Sequence, residues 1–120
     1  MLTLDEKAVF LEKQLEAYER LAYRIVEFEL LPSEDFDEKL IDSLLHITAE
    51  FLRCIIFLDN ETVRVFDERI NAPFKKKEFM ILIEEKGYEA LYTELRLRLS
   101  GEVLSAARAF LKKKFPDSFE

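Results

Sequence analysis

Only two glycines and three prolines punctuate the 120 residues of this chain, and that scarcity of chain-reversing residues limits the fold more than any other feature. A sheet-built domain reverses direction about every 8–12 residues, usually on Gly, Pro, Asn or Asp. Long helices with short connections need far fewer such positions. With 49% hydrophobic and 36% charged residues, little of the chain is neutral and polar, which also suits amphipathic helices. The expected fold is all-α: a compact bundle of four to five helices, in one domain covering residues 1–120, because a chain of this length suits one core.

The apolar spacing locates the helices. Thr3-Leu4-Asp5-Glu6 has the pattern of a capping box, in which a Thr hydroxyl accepts an orphan amide of the first turn. From there Leu4, Ala8, Leu11, Leu15, Tyr18, Ala22 and Ile25 alternate spacings of four and three, a helical seam. A second row holds Phe10, Ala17, Leu21 and Phe28, so the apolar face is wide. Pro32 should stop this helix near Leu30.

A second helix is expected from Phe36 to Leu58, with Asp35 as its cap. Its two seams, Leu40, Leu44, Ile47, Phe51, Cys54, Leu58 and Ile41, Leu45, Thr48, Leu52, Ile55, make it the central element. Residues 55–66 also satisfy the pattern of a small β-hairpin around Asn60, since Thr62-Val63-Arg64-Val65-Phe66 alternates. A short helix is favoured there, with the hairpin as the alternative. Pro73 suits the first turn of a further helix, and Gly87 a helix end. Tyr88, Leu91, Leu95 and Leu99 continue at helical spacing, with an alternating strand over 94–99 as the competing reading, and Ser100-Gly101 reads as a break before a last helix whose Lys112-Lys113-Lys114 favours the carbonyl end of the dipole.

Function classes narrow by exclusion. The single cysteine, Cys54, lies in an apolar run, so no intrachain disulfide can form and a buried reduced thiol is expected. The start, Met1-Leu2-Thr3-Leu4-Asp5-Glu6-Lys7, lacks the basic and apolar regions of a secretory leader, so a soluble, cytoplasmic protein is expected. No stretch approaches the roughly 20 apolar residues of a membrane span, and no membrane partner is expected. Few Asn and Gln among many Glu, Lys and Ile follow the thermophile trend.

No arrangement for nucleophilic catalysis and no phosphate loop is present. His46, the only histidine, with Glu50 one turn on, provides too few ligands for a metal site, and the two belong to a polar strip of the second helix with Lys39, Ser43 and Arg53. No metal and no cofactor is expected. The weak catalytic candidates are Glu84, Glu85 and Glu89, a carboxylate cluster of the kind that can hold magnesium against a phosphate, though an exposed acidic helix face is the favoured reading of the three. The basic clusters Lys75-Lys76-Lys77, Arg96 with Arg98, and Lys112-Lys113-Lys114 sit in a chain of net charge −7, which repels a polyanion unless they converge, so nucleic acid is not expected. The acid is concentrated: residues 1–50 hold 13 acidic and 5 basic side chains.

Eleven Phe and four Tyr are more large rings than one small core readily hides, and part of that apolar surface should face a partner. The expected function is therefore a non-enzymatic protein–protein interaction module, an adaptor or chaperone-like bundle, self-associating as a homodimer or meeting an unidentified protein. The alternative is a small helical enzyme or ligand-binding bundle built on Glu84, Glu85 and Glu89.

Overall fold

The computed structural model of the protein describes residues 3–118. Helix α1 spans Leu4–Glu29, α2 Glu38–Cys54, α3 Asn60–Phe66, α4 Ala72–Lys75, α5 Glu78–Lys86, α6 Tyr88–Arg96 and α7 Leu104–Lys114. Wide π-turns, Asp67–Asn71 and Leu97–Val103, join α3 to α4 and α6 to α7. The result is five helical rods: α1, α2, α3 with α4, α5, and α6 with α7. No strand occurs among the described residues: residues 55–57 form a 3₁₀ turn, Leu58 and Asp59 link it to α3, residues 94–99 are helical, and the hairpin alternative is overturned.

The Thr3 hydroxyl accepts the Glu6 amide at 3.1 Å and caps α1 as the capping-box pattern predicts. The start of α2 differs from expectation. Asp37, not Asp35, is its cap, accepting the Lys39 amide at 2.9 Å. Ser33–Asp35 forms a tight 3₁₀ turn, the Asp35 carboxylate is engaged by the Lys39 ammonium at 2.8 Å, and Phe36 stacks on Tyr92 at 4.3 Å. That contact holds Phe36 outside the helix. At its other end α2 tightens into a 3₁₀ turn, Ile55–Phe57.

Pro73 and Gly101 do not break their rods, and the reason lies in residue spacing. Leu91, Leu95, Leu99, Val103, Ala107 and Leu111 are all buried and recur every four residues. In a regular α-helix such a row drifts by about 40° at each step, so over this length its ends would face opposite ways. A wide turn adds a residue and brings the row back into phase. Thr62, Phe66 and Ile70 repeat the pattern in the other rod. A side chain at Gly101 would meet nothing within 4 Å, and the Ser105 hydroxyl donates to the Gly101 carbonyl at 2.8 Å.

Pro73 brings no amide for the Arg69 carbonyl four residues before it. Arg98 supplies the missing donor: its Nη1 reaches that carbonyl at 2.9 Å, while its Nε bonds Glu94 at 2.9 Å and its guanidinium lies 5.3 Å from the Phe79 ring centre. Arg69 in turn bonds Glu102 at 2.8 Å. The two π-turns are thus cross-linked, and a proline inside a rod is tolerated because a neighbouring rod satisfies the orphan acceptor.

The core gathers on α2, whose Leu40, Leu44, Ile47 and Phe51 are fully buried. Phe51 stacks on Phe66 with ring centres 4.0 Å apart and planes 9° from parallel. Phe28 and Phe79 are also buried, and Phe36, Phe57, Phe110 and Phe115 pack on the edge of the same core. Most rings are therefore hidden, contrary to expectation. The surplus apolar surface is chiefly aliphatic: Leu4, Val9, Val26, Leu30, Leu45, Leu52, Ile56, Met80, Ile81 and Leu97 are exposed.

Candidate interaction surface

Helix α1 has 26 residues and so runs about 39 Å. Its inner face, Gln14, Ala17, Tyr18, Leu21, Ile25 and Phe28, is buried, yet every residue from Thr3 to Phe10 is exposed. The first turns of α1 thus extend past the core. Phe10 touches Phe57 at 5.5 Å, and Gln14 donates to the Phe57 carbonyl at 2.9 Å, which marks where the body of the protein begins.

Two networks hold α1 against its neighbours. The Tyr18 hydroxyl donates to Asp59 Oδ1 and accepts the Asp59 amide at 2.7 Å, while Asp59 Oδ2 accepts the Thr62 amide at 3.1 Å and caps α3. Burial first, and then the Asp59 carboxylate, push the Tyr18 phenol well above its usual range. At the far end the Tyr92 hydroxyl donates to the Glu29 carbonyl at 2.6 Å. Tyr18 stacks on Phe110 at 5.4 Å and Phe28 on Tyr92 at 5.4 Å. The rod of α6 and α7 therefore runs antiparallel to α1.

These anchors leave a groove between α1 and α7. It has a volume of about 230 Å³ and is lined by Leu15, Tyr18, Leu21, Ala22 and Val26 from α1 and Leu104, Ala107 and Leu111 from α7, with Glu19 and Arg108 also on its walls. Leu4, Ala8, Leu11, Leu15, Ala22 and Val26 share one side of α1 by their spacing. Leu4 is 85% and Val26 43% exposed, and Leu11, Leu15 and Ala22 are half-buried. An apolar stripe thus runs the length of α1 and opens into the groove.

The other residues singled out from sequence lie elsewhere. Glu84 and Glu85 are exposed on α5 and Glu89 on α6, on either side of Gly87, whose φ of 90° turns the chain. Glu84 lines an open depression with Phe74, Lys75, Lys77, Phe79 and Met80, and neither Glu85 nor Glu89 joins it there. Among the described residues no group of three His, Cys, Asp or Glu is placed to hold a metal ion. His46 is exposed. The strip is salt-bridged at Glu50, which at 7% exposure faces Arg24 at 3.9 Å and Arg53 at 3.7 Å. Cys54 is a free, buried thiol, its pKa raised by burial and then by Glu50.

Arg98 is turned inward, with 17% of its side chain exposed, and so is withdrawn from the basic surface. Among the described residues no helix is long and apolar enough to cross a membrane. Comparison of the chain with protein-family models, with curated proteins and with solved structures found no match to any of them.

Proposed function

We propose that the protein is a non-enzymatic protein–protein interaction module, an adaptor or chaperone-like helical bundle, that receives its partner on the stripe of α1 and the groove beside α7. The observation that carries this reading is the stripe itself: an amphipathic helix whose first turns, to Phe10, find no covering element among the described residues. A groove between two helices is a natural seat for the apolar face of a third. Carboxylates converging in a concave site would favour an enzyme, and the exposed Glu84, Glu85 and Glu89 do not have that arrangement. A reducing cytoplasm suits the lone buried thiol, and the net charge of −7 suits a protein partner better than a nucleic acid.

A photo-crosslinking residue placed at Leu11 or at Val26, and as a control at the exposed Leu52 on α2, tests this in cells. Adducts to protein are expected from the first two positions and not from Leu52. Equal labelling at all three, or none at Leu11 and Val26, would contradict the proposal.

A further inference from the structure

The stripe of α1 begins on a heptad. Leu4, Leu11, Tyr18 and Ile25 recur every seven residues, with Ala8, Leu15 and Ala22 between them, the pattern of a coiled-coil seam. In the monomer Tyr18 and Ile25 are buried in the core and Leu15 packs on its edge, so the heptad is open from Leu4 to Leu11 and the stripe continues past it through Leu15, Ala22 and Val26. We infer that the occupant of the stripe is α1 of a second copy of the chain, laid parallel and in register, so that each α1 also lies against the other subunit's α7. This rests on the reading of the stripe as an interaction surface and names its partner.

Charge chooses the second copy and its direction. One flank of the stripe carries Asp5, Glu12 and Glu19, again seven residues apart. The opposite flank, Lys7, Gln14 and Leu21, turns at its later positions toward the body, Gln14 to the Phe57 carbonyl and Leu21 to the groove beside α7. In a parallel coiled coil each flank meets the opposite flank of its partner. The partner's Glu12 then faces Lys7, and its Glu19 lies toward the groove wall that carries Arg108 of α7. An antiparallel pair would set the acidic row against itself. None of Asp5, Lys7, Glu12, Glu19, Arg108 and Lys112 makes an ion pair among the described residues.

Surface area agrees. The chain exposes 7923 Å², whereas a compact monomer of 14.2 kDa exposes about 6,800 Å². The excess, about 1,100 Å², is more than the roughly 800 Å² that each partner contributes to a stable interface. The radius of gyration, 15.8 Å, likewise exceeds the about 13.6 Å of a compact chain of this length. Ala8 and Ala22, small residues within the seam, let two helices approach closely.

Sedimentation of the full chain at micromolar concentration should give twice the 14.2 kDa monomer mass. Leu11→Asp should raise the dissociation constant by at least about 100-fold, since the charge enters the seam in both subunits, while helical circular dichroism is unchanged. Ala8→Cys in a Cys54→Ala background should form a disulfide-linked dimer on mild oxidation, because parallel, in-register helices place the two substituted positions side by side. A monomer throughout the micromolar range would overturn the inference. If the crosslinkers at Leu11 and Val26 then still captured a different protein, the interaction-module reading would stand without it. A dimer indifferent to Leu11→Asp would overturn the surface, and a dimer whose substituted Ala8 positions fail to join would overturn the parallel register.

Discussion

Replacing Phe51 with Ala is expected to cost about 3–5 kcal/mol of folding stability. The ring is fully buried near the middle of the core face of α2 and lies flat on Phe66, 4.0 Å between centres. Its removal loses the transfer energy of a phenyl group and the stacking, and leaves a cavity that rigid helices on both sides cannot close. Urea unfolding of the two proteins at equal concentration measures the difference, and equal concentration matters because association would add its own stabilisation. A loss below about 1 kcal/mol would mean that α2 is not the centre of the core.

Asp59→Ala should cost about 2–4 kcal/mol, because one side chain serves two structures: it caps α3 through the Thr62 amide and accepts the Tyr18 hydroxyl. A cap contributes about 1 kcal/mol, and a hydrogen bond to a charged group about 1.5–3 kcal/mol. Asp59→Asn keeps one carbonyl oxygen, which can serve the Thr62 amide or the Tyr18 hydroxyl but not both, and should lose less than Asp59→Ala. The same pair predicts a pH dependence. The Tyr18 phenol is raised above its ordinary value by burial and by the Asp59 carboxylate, so the folded state binds this proton more tightly than the unfolded state does. The contribution is complete below about pH 10, the unfolded phenol value, and is lost as pH rises beyond it toward the folded value. The stability difference between the natural protein and Tyr18→Phe should accordingly shrink above about pH 10. A constant difference across that range would show that the hydroxyl ionises as freely in the fold as outside it.

Local chemistry was readable where a single residue decides the backbone. The Thr3 cap, the stop before Pro32 and the end at Gly87 all follow from a side chain or ring acting on its own turn. The departures arise where a distant element decides. Asp35 and Asp37 are both good caps, and the choice between them depends on Phe36 reaching Tyr92. Pro73 does lie in the first turn of α4, but the chain before it is already wound, because Arg98 from another rod satisfies the carbonyl it leaves open. The wide turns did leave a trace: rows of buried residues exactly four apart over five successive steps do not fit a straight α-helix, and that row in 91–111 is visible in the chain itself.

The interaction surface was half legible. The seam from Leu4 to Ile25 is plain in the sequence, but a seam does not say whether its own chain covers it. Coverage depends on where the neighbouring elements end, and they end near Phe57 and Phe115, leaving the first turns of α1 beyond them. The acidic row Asp5, Glu12, Glu19 beside the small residues Ala8 and Ala22 is the sequence signal behind the proposed second use of this seam. The exposed rings were overestimated because stacked pairs such as Phe51 with Phe66 and Phe28 with Tyr92 pack much aromatic surface into little space.

Hydrogen exchange of α1, followed at two protein concentrations, tests the central claim most directly: that the inner face of this helix belongs to the fold and its outer stripe to a partner copy. Amides in 17–28 should be protected at nanomolar and micromolar concentration alike, because they sit against the core. Amides in 5–13 should exchange rapidly in dilute solution and become protected as concentration rises and the stripe is covered. Protection of 5–13 that is equal at both concentrations would show the stripe already covered within one chain, and exchange that stays rapid at both would show that no second copy binds there.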